Sequence, residues 1–85
     1  MVRVVLPRVL AAEVDGQRSF EVEAETVGDA LRTLPIADLL FTERGDWHDW
    51  LFVYIDGTDA RDRGGLRCPL AGAHEVRVLA AVQGG

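Results

Sequence analysis

Lysine is absent from this chain. All nine basic residues are arginine, set against fourteen aspartates and glutamates, so the formal net charge is −5. An acidic chain repels phosphate backbones, which argues against nucleic acid as a partner. Cysteine is nearly absent too. A lone Cys68 closes no internal disulfide and builds no metal cluster, so a reducing, cytoplasmic setting is expected. No apolar run approaches the roughly 18 residues a membrane span requires, and the N-terminal stretch carries no apolar signal region, so no membrane association is expected. Length excludes more. Eighty-five residues support one modest core, without room beside it for a large catalytic cleft. A nucleophile beside a base, a phosphate loop and a working pair of carboxylates are all missing, so an enzyme is not expected. What is there is globular: 48% of residues are hydrophobic and 27% charged, in proportions that fold.

No internal repeat, low-complexity tract or linker divides the chain. Val2-Arg3-Val4-Val5-Leu6 is β-branched and reads as a strand, with Val2, Val4 and Leu6 on one face. Pro7 ends or bends it. Leu10 to Val14 fits either a strand tail or a helical turn, and Asp15-Gly16 is a turn. Phe20 to Glu25 alternates apolar and acidic residues. It reads as a half-buried strand and second arm of a hairpin, with Glu21, Glu23 and Glu25 on the solvated face.

At Thr26 the period changes. Val27, Ala30, Leu31 and Leu34 form one helical stripe, with Thr26 as cap and Asp29 completing a capping-box-like pair. Pro35 stops this helix. Ile36, Leu39 and Leu40 predict a further turn or two packed on the same core. Thr42 to Asp49 reads as a loop, Leu51 to Ile55 as a strand buried on one face and partly covered on the other, and Asp56-Gly57 as a turn. Asp59 to Gly65 leaves room for a very short edge strand, and Glu75 to Val82 is the last strand. The order β-β-α-β-(β)-β predicts an α+β roll of the ubiquitin-like kind, a mixed four- to five-stranded sheet with one main helix across it. Residues 1–82 form the single domain and 83–85 a flexible tail.

The chain ends Val82-Gln83-Gly84-Gly85. At average glycine usage two terminal glycines arise by chance in about half a per cent of chains, a moderate signal by itself. Its place directly after the final strand makes it stronger. Glycine lacks the Cβ that would clash in a narrow channel, and it reaches backbone angles closed to other residues. Docking such a tail costs on the order of 1–2 kcal/mol per residue in ordering, so an apolar docking surface on the folded body is expected to offset it. A carboxylate becomes a good electrophile once adenylated with ATP, after which sulfide, a persulfide or an amine displaces AMP.

From end to end the chain resembles the ThiS/MoaD family of small β-grasp sulfur carriers. The resemblance runs through the Val2–Leu6 strand, Thr26-Val27-Gly28-Asp29-Ala30-Leu31, Gly65-Leu66 with Pro69-Leu70, and the last strand into Gly84-Gly85. The Leu6-Pro7-Arg8-Val9-Leu10 opening and the Asp59-Ala60-Arg61 and Gly64-Gly65-Leu66 segments are most similar to the branch that feeds a cysteine synthase. The resemblance implies that an E1-like adenylyltransferase or sulfurtransferase adenylates Gly85 with ATP and converts it to a thiocarboxylate. An acceptor then takes the sulfur, a cysteine-synthase-like enzyme, a partner like the molybdopterin synthase large subunit, or a synthase making thiamine or another thio-metabolite. It implies a carrier that is monomeric when free and binds no cofactor or metal. The chain departs from the family at Ala80, where proline is common, at Gln83, where alanine is common, and at Gly72-Ala73-His74, where Gly-Asp is usual.

Other readings stand beside this one. With Val76, Val78 and Ala80 facing the core, Leu79 points to the opposite face and Val82 is expected to be exposed, an apolar patch near the tail suited to docking. Phe52 and Tyr54 either join that patch or lie under a loop. A non-covalent ubiquitin-like binding module would use the same patch and ignore Gly85, whereas a ubiquitin-like modifier would join Gly85 to lysines of other proteins. Trp47-His48-Asp49-Trp50 invites a metal reading, but adjacent loop residues seldom converge on one ion, and structural or surface roles are expected. Cys68 reads as a small half-buried residue. Arg61, Arg63 and Arg67 read as a solvated basic loop that could steer an acidic partner.

Overall fold

Alternation in the opening segment drives the first strand. A computed structural model of the chain describes residues 1–81. In it β1 (Val2–Val5) buries Val2 and Val4, and Leu6 follows them into the core. Pro7 then opens α1 (Arg8–Ala11), which runs into a 3-10 turn over Ala12–Val14. The Leu10–Val14 stretch is therefore helical. Asp15 (φ 58°) and Gly16 (φ 83°) reverse the chain in left-handed conformations, and β2 (Ser19–Val22) returns antiparallel to β1. This strand is shorter than its alternating pattern predicts. Val22 lies opposite Val2, so beyond it β1 has almost no partner left to offer. Instead Glu25 accepts from the Leu70 N–H, the Val27 N–H donates to Cys68, and Thr26 bridges Pro69.

Thr26 caps α2 (Val27–Thr33), its hydroxyl accepting the Asp29 N–H at 3.2 Å. Val27, Ala30 and Leu31 lie in the core, and Leu34, the residue before Pro35, is already extended. A short α3 (Ala37–Leu40) buries Leu40, with Ile36 buried just ahead of it, but leaves Leu39 43% exposed. Leu39 was expected in the core; one turn of helix cannot aim both neighbours inward. After a loop come β3 (Leu51–Ile55), the two-residue β4 (Thr58–Asp59), 3-10 turns over Ala60–Arg63 and Gly65–Arg67, and β5 (Glu75–Ala80). Among the described residues ladder pairing of the final strand runs to Ala80, whose register partner Leu51 is the first residue of β3, and the expected end at Val82 lies outside those residues.

Five strands form one mixed sheet in the order β2-β1-β5-β3-β4, with β1 and β5 parallel at its centre. Its inner face carries Val4, Val53, Ile55, Val76 and Val78 against α2. This is the predicted β-grasp architecture. The parallel central pair sends β5 from the Asp56-Gly57 turn toward the start of β3. At the end of β3 the Asp56 carboxylate accepts the backbone N–H groups of His74 and Glu75 at 3.0–3.3 Å and fixes where β5 begins.

Candidate functional site

The β3–β5 register decides what stands beside the chain's last segment. Phe52 is opposite Leu79, and Tyr54 is opposite both Arg77 and Asp59. All lie on the outer face, because Leu51, Val53 and Ile55 alternate with them into the core. Leu79 is 41% exposed, while Phe52 and Tyr54 are half-buried. Among the sequence-predicted site residues the structure thus brings Leu79 and Phe52 together. Tyr54 occupies the next row, among polar partners. Val82, Gln83, Gly84 and Gly85 lie outside the described residues.

The root of the tail is anchored. The Ala81 N–H donates to the Trp50 carbonyl at 2.7 Å, one residue past the end of the ladder. Trp50 is partly exposed and stacks on His48, their ring centroids 5.4 Å apart and the planes 19° from parallel. Trp47 is 8% exposed, bridges Phe41 through the backbone and belongs to the core. Its neighbour Asp46 accepts the Thr42 N–H at 2.6 Å, so the loop is closed on itself. Among the described residues no group of three or more His, Cys, Asp or Glu side chains is placed to hold a metal ion. Cys68 was expected to be half-buried but is 1% exposed; it sits where the 68–70 segment pairs with the start of α2, and its thiol donates to the Pro69 carbonyl.

Two features escaped the sequence reading. Arg61, Arg63 and Arg67 are exposed as expected, but Arg61 also holds its guanidinium carbon 5.6 Å from the Trp47 ring centre and 5.8 Å from that of Phe52. Trp50, for which a structural or surface role is expected, supplies the carbonyl that holds Ala81, a specific contact that its sequence position does not show. The available signal was density: four of the chain's six aromatic residues fall between positions 47 and 54. Glu21, Glu23 and Glu25 are exposed, with Glu21 loosely paired to Arg3 at 3.5 Å.

No protein-family model matches the chain. Individual proteins do. The chain is 30% identical over 91 residues to the sulfur carrier protein CysO of Mycobacterium tuberculosis, covering 99% of this chain and 98% of that one. The crystal structure of M. tuberculosis CysO superposes with a TM-score of 0.83 at 27% identity, over 96% of this chain and all of the other. A chain of the Amycolatopsis orientalis BexX/CysO complex gives a TM-score of 0.82 at 27% identity, each chain covered in full. SAMP1 from Haloferax volcanii gives 0.71 at 28% identity, with 99% and 98% covered. By this full-length similarity and by its fold, the chain belongs to the ubiquitin-like β-grasp sulfur carriers of the ThiS/MoaD family, in the CysO-like branch.

Proposed function

We propose that the chain carries sulfur on Gly85, loaded by one enzyme and unloaded by another in the synthesis of cysteine. An E1-like adenylyltransferase joins the Gly85 carboxylate to the α-phosphate of ATP and releases pyrophosphate. Sulfide attacks the acyl carbon, AMP leaves, and the carboxylate oxygen lost with AMP is replaced by sulfur. The resulting thiocarboxylate gives up its sulfur to a cysteine-synthase-like acceptor, and water supplies the oxygen that takes its place on the acyl carbon and restores the carboxylate. The chain is then a co-substrate, consumed and regenerated, and the ATP belongs to its activating enzyme. Gly84 supplies freedom of approach, while Gln83 and Val82 join the reacting end to the folded body.

The observation that carries this reading is full-length similarity to the CysO carriers in a chain whose sequence runs from β5 into Gly84-Gly85. That a CysO neighbour was crystallised in complex with BexX supports a carrier that docks on another protein. Leu79 and Phe52, together on the outer face, fit such docking, with Tyr54 beside them. Incubation with the activating enzyme, ATP and sulfide tests the reading by mass spectrometry. A species heavier than the starting chain by the difference between sulfur and oxygen is expected, and only when ATP is present. Its absence with an activating enzyme that charges other carriers of the family contradicts the proposal.

The exposed Leu79 favours one further reading, a module that binds partners through the sheet face without covalent chemistry. Under that reading Leu79→Asp abolishes binding and removal of Gly85 changes nothing; under the carrier reading both matter.

A further inference from the structure

Arg61 sits in the turn that follows β4, its backbone N–H held by Asp59 Oδ1 at 2.9 Å. Its guanidinium is shared by two rings from different elements, Trp47 of the 41–50 loop and Phe52 of β3, at 5.6 and 5.8 Å. A cation within about 6 Å of a ring centre is attracted to the ring face. Arginine suits a two-ring contact because its planar group is weakly hydrated and stacks, which lysine does poorly.

From each of these aromatic residues a short path leads to the end of β5. From Trp47 the link is the chain itself: His48, next in sequence, stacks on Trp50, and the Trp50 carbonyl accepts the Ala81 N–H at 2.7 Å. Beyond Phe52 stands Leu79, its cross-strand partner. One side chain therefore ties the loop that holds the root of the tail to the face that carries the exposed apolar residue.

We propose that Arg61 is a positioning residue for the carrier's reactive end: by clamping Trp47 to Phe52 it sets the tail root at Ala81 and the docking face at Leu79 before any partner arrives. The functional half of this inference rests on the carrier reading; the clamp itself does not. Without Arg61 the 46–50 loop samples more conformations, the Trp50–Ala81 hydrogen bond opens more often, and that loop must be ordered during docking instead. The loss then falls on KM for the carrier, with kcat retained.

The test compares the full 85-residue chain with Arg61→Gln and Arg61→Lys, by amide hydrogen exchange and by charging with the activating enzyme, ATP and sulfide. In Arg61→Gln, exchange at Ala81 is expected to rise roughly five-fold while Val53 and Val78 keep their rates, and KM to rise by about the same factor. Arg61→Lys falls between the two. Unchanged exchange at Ala81 overturns the clamp. So does equal acceleration at Ala81, Val53 and Val78, the sign of a general loss of stability. An unchanged KM beside faster Ala81 exchange overturns the functional half alone. If even the parent chain is never charged, the carrier reading fails, and the Ala81 comparison still decides the clamp.

Discussion

Leu79 faces Phe52 across the β3–β5 ladder, on the side of the sheet turned away from α2. Neither belongs to the buried core cluster. The core positions flanking them, Leu51, Val53 and Val78, are each 1% exposed and point to the opposite face of the sheet. A half-exposed leucine beside an aromatic ring, a short way before the end of the chain, is where a partner gains apolar contact most readily.

Replacing Leu79 therefore separates folding from docking. Leu79→Asp is expected to cost about 1 kcal/mol of stability and to leave the chain folded, because the side chain is already 41% exposed and outside the core. Its affinity for the activating enzyme is expected to fall at least about ten-fold, as for an interface hot spot. Thermal unfolding and a titration with the enzyme measure the two effects on one sample.

Cys68 carries the chain's one thiol and is a natural suspect in sulfur chemistry. Its burial argues otherwise, since a thiol closed off from water exchanges sulfur with nothing outside. The native protein is expected to resist thiol alkylation, and Cys68→Ala to acquire sulfur at the parent rate with about 1 kcal/mol of stability lost. A folded Cys68→Ala protein that no longer charges contradicts this assignment.

Thr26 begins the helix that covers the sheet. Thr26→Ala removes the hydroxyl that accepts the Asp29 N–H and is expected to cost about 1 kcal/mol in a denaturant titration. Thr26→Ser, which keeps the oxygen, is expected to recover most of that loss. Charging of Gly85 stays unchanged in both, because α2 packs on the face of the sheet opposite Leu79.

Local rules made the strands and the main helix legible, and the failures have local causes as well. The change from period two at Phe20–Val22 to the helical stripe of Val27, Ala30 and Leu31 places the two elements correctly. The end of β2 was not legible. Alternation continues through Glu25, but strand length depends on a partner, and β1 begins only at Val2. Leu39 and Leu40 both look apolar enough for the core, and only the short α3 decides which of them turns inward. At the candidate site, strand alternation predicted the outward face of Leu79. The pairing of Leu79 with Phe52 needs the β3–β5 register, and the place of Arg61 between two rings needs the path of the loop. Neither follows from spacing along one strand.

The most direct measurement removes one residue. The full chain and a chain lacking Gly85 are each incubated with the activating enzyme, ATP and sulfide, and their intact masses and unfolding midpoints are compared. The account predicts equal midpoints, the sulfur-for-oxygen mass gain in the full chain and none in the shortened one. A shortened chain that takes up sulfur as fast as the parent contradicts it.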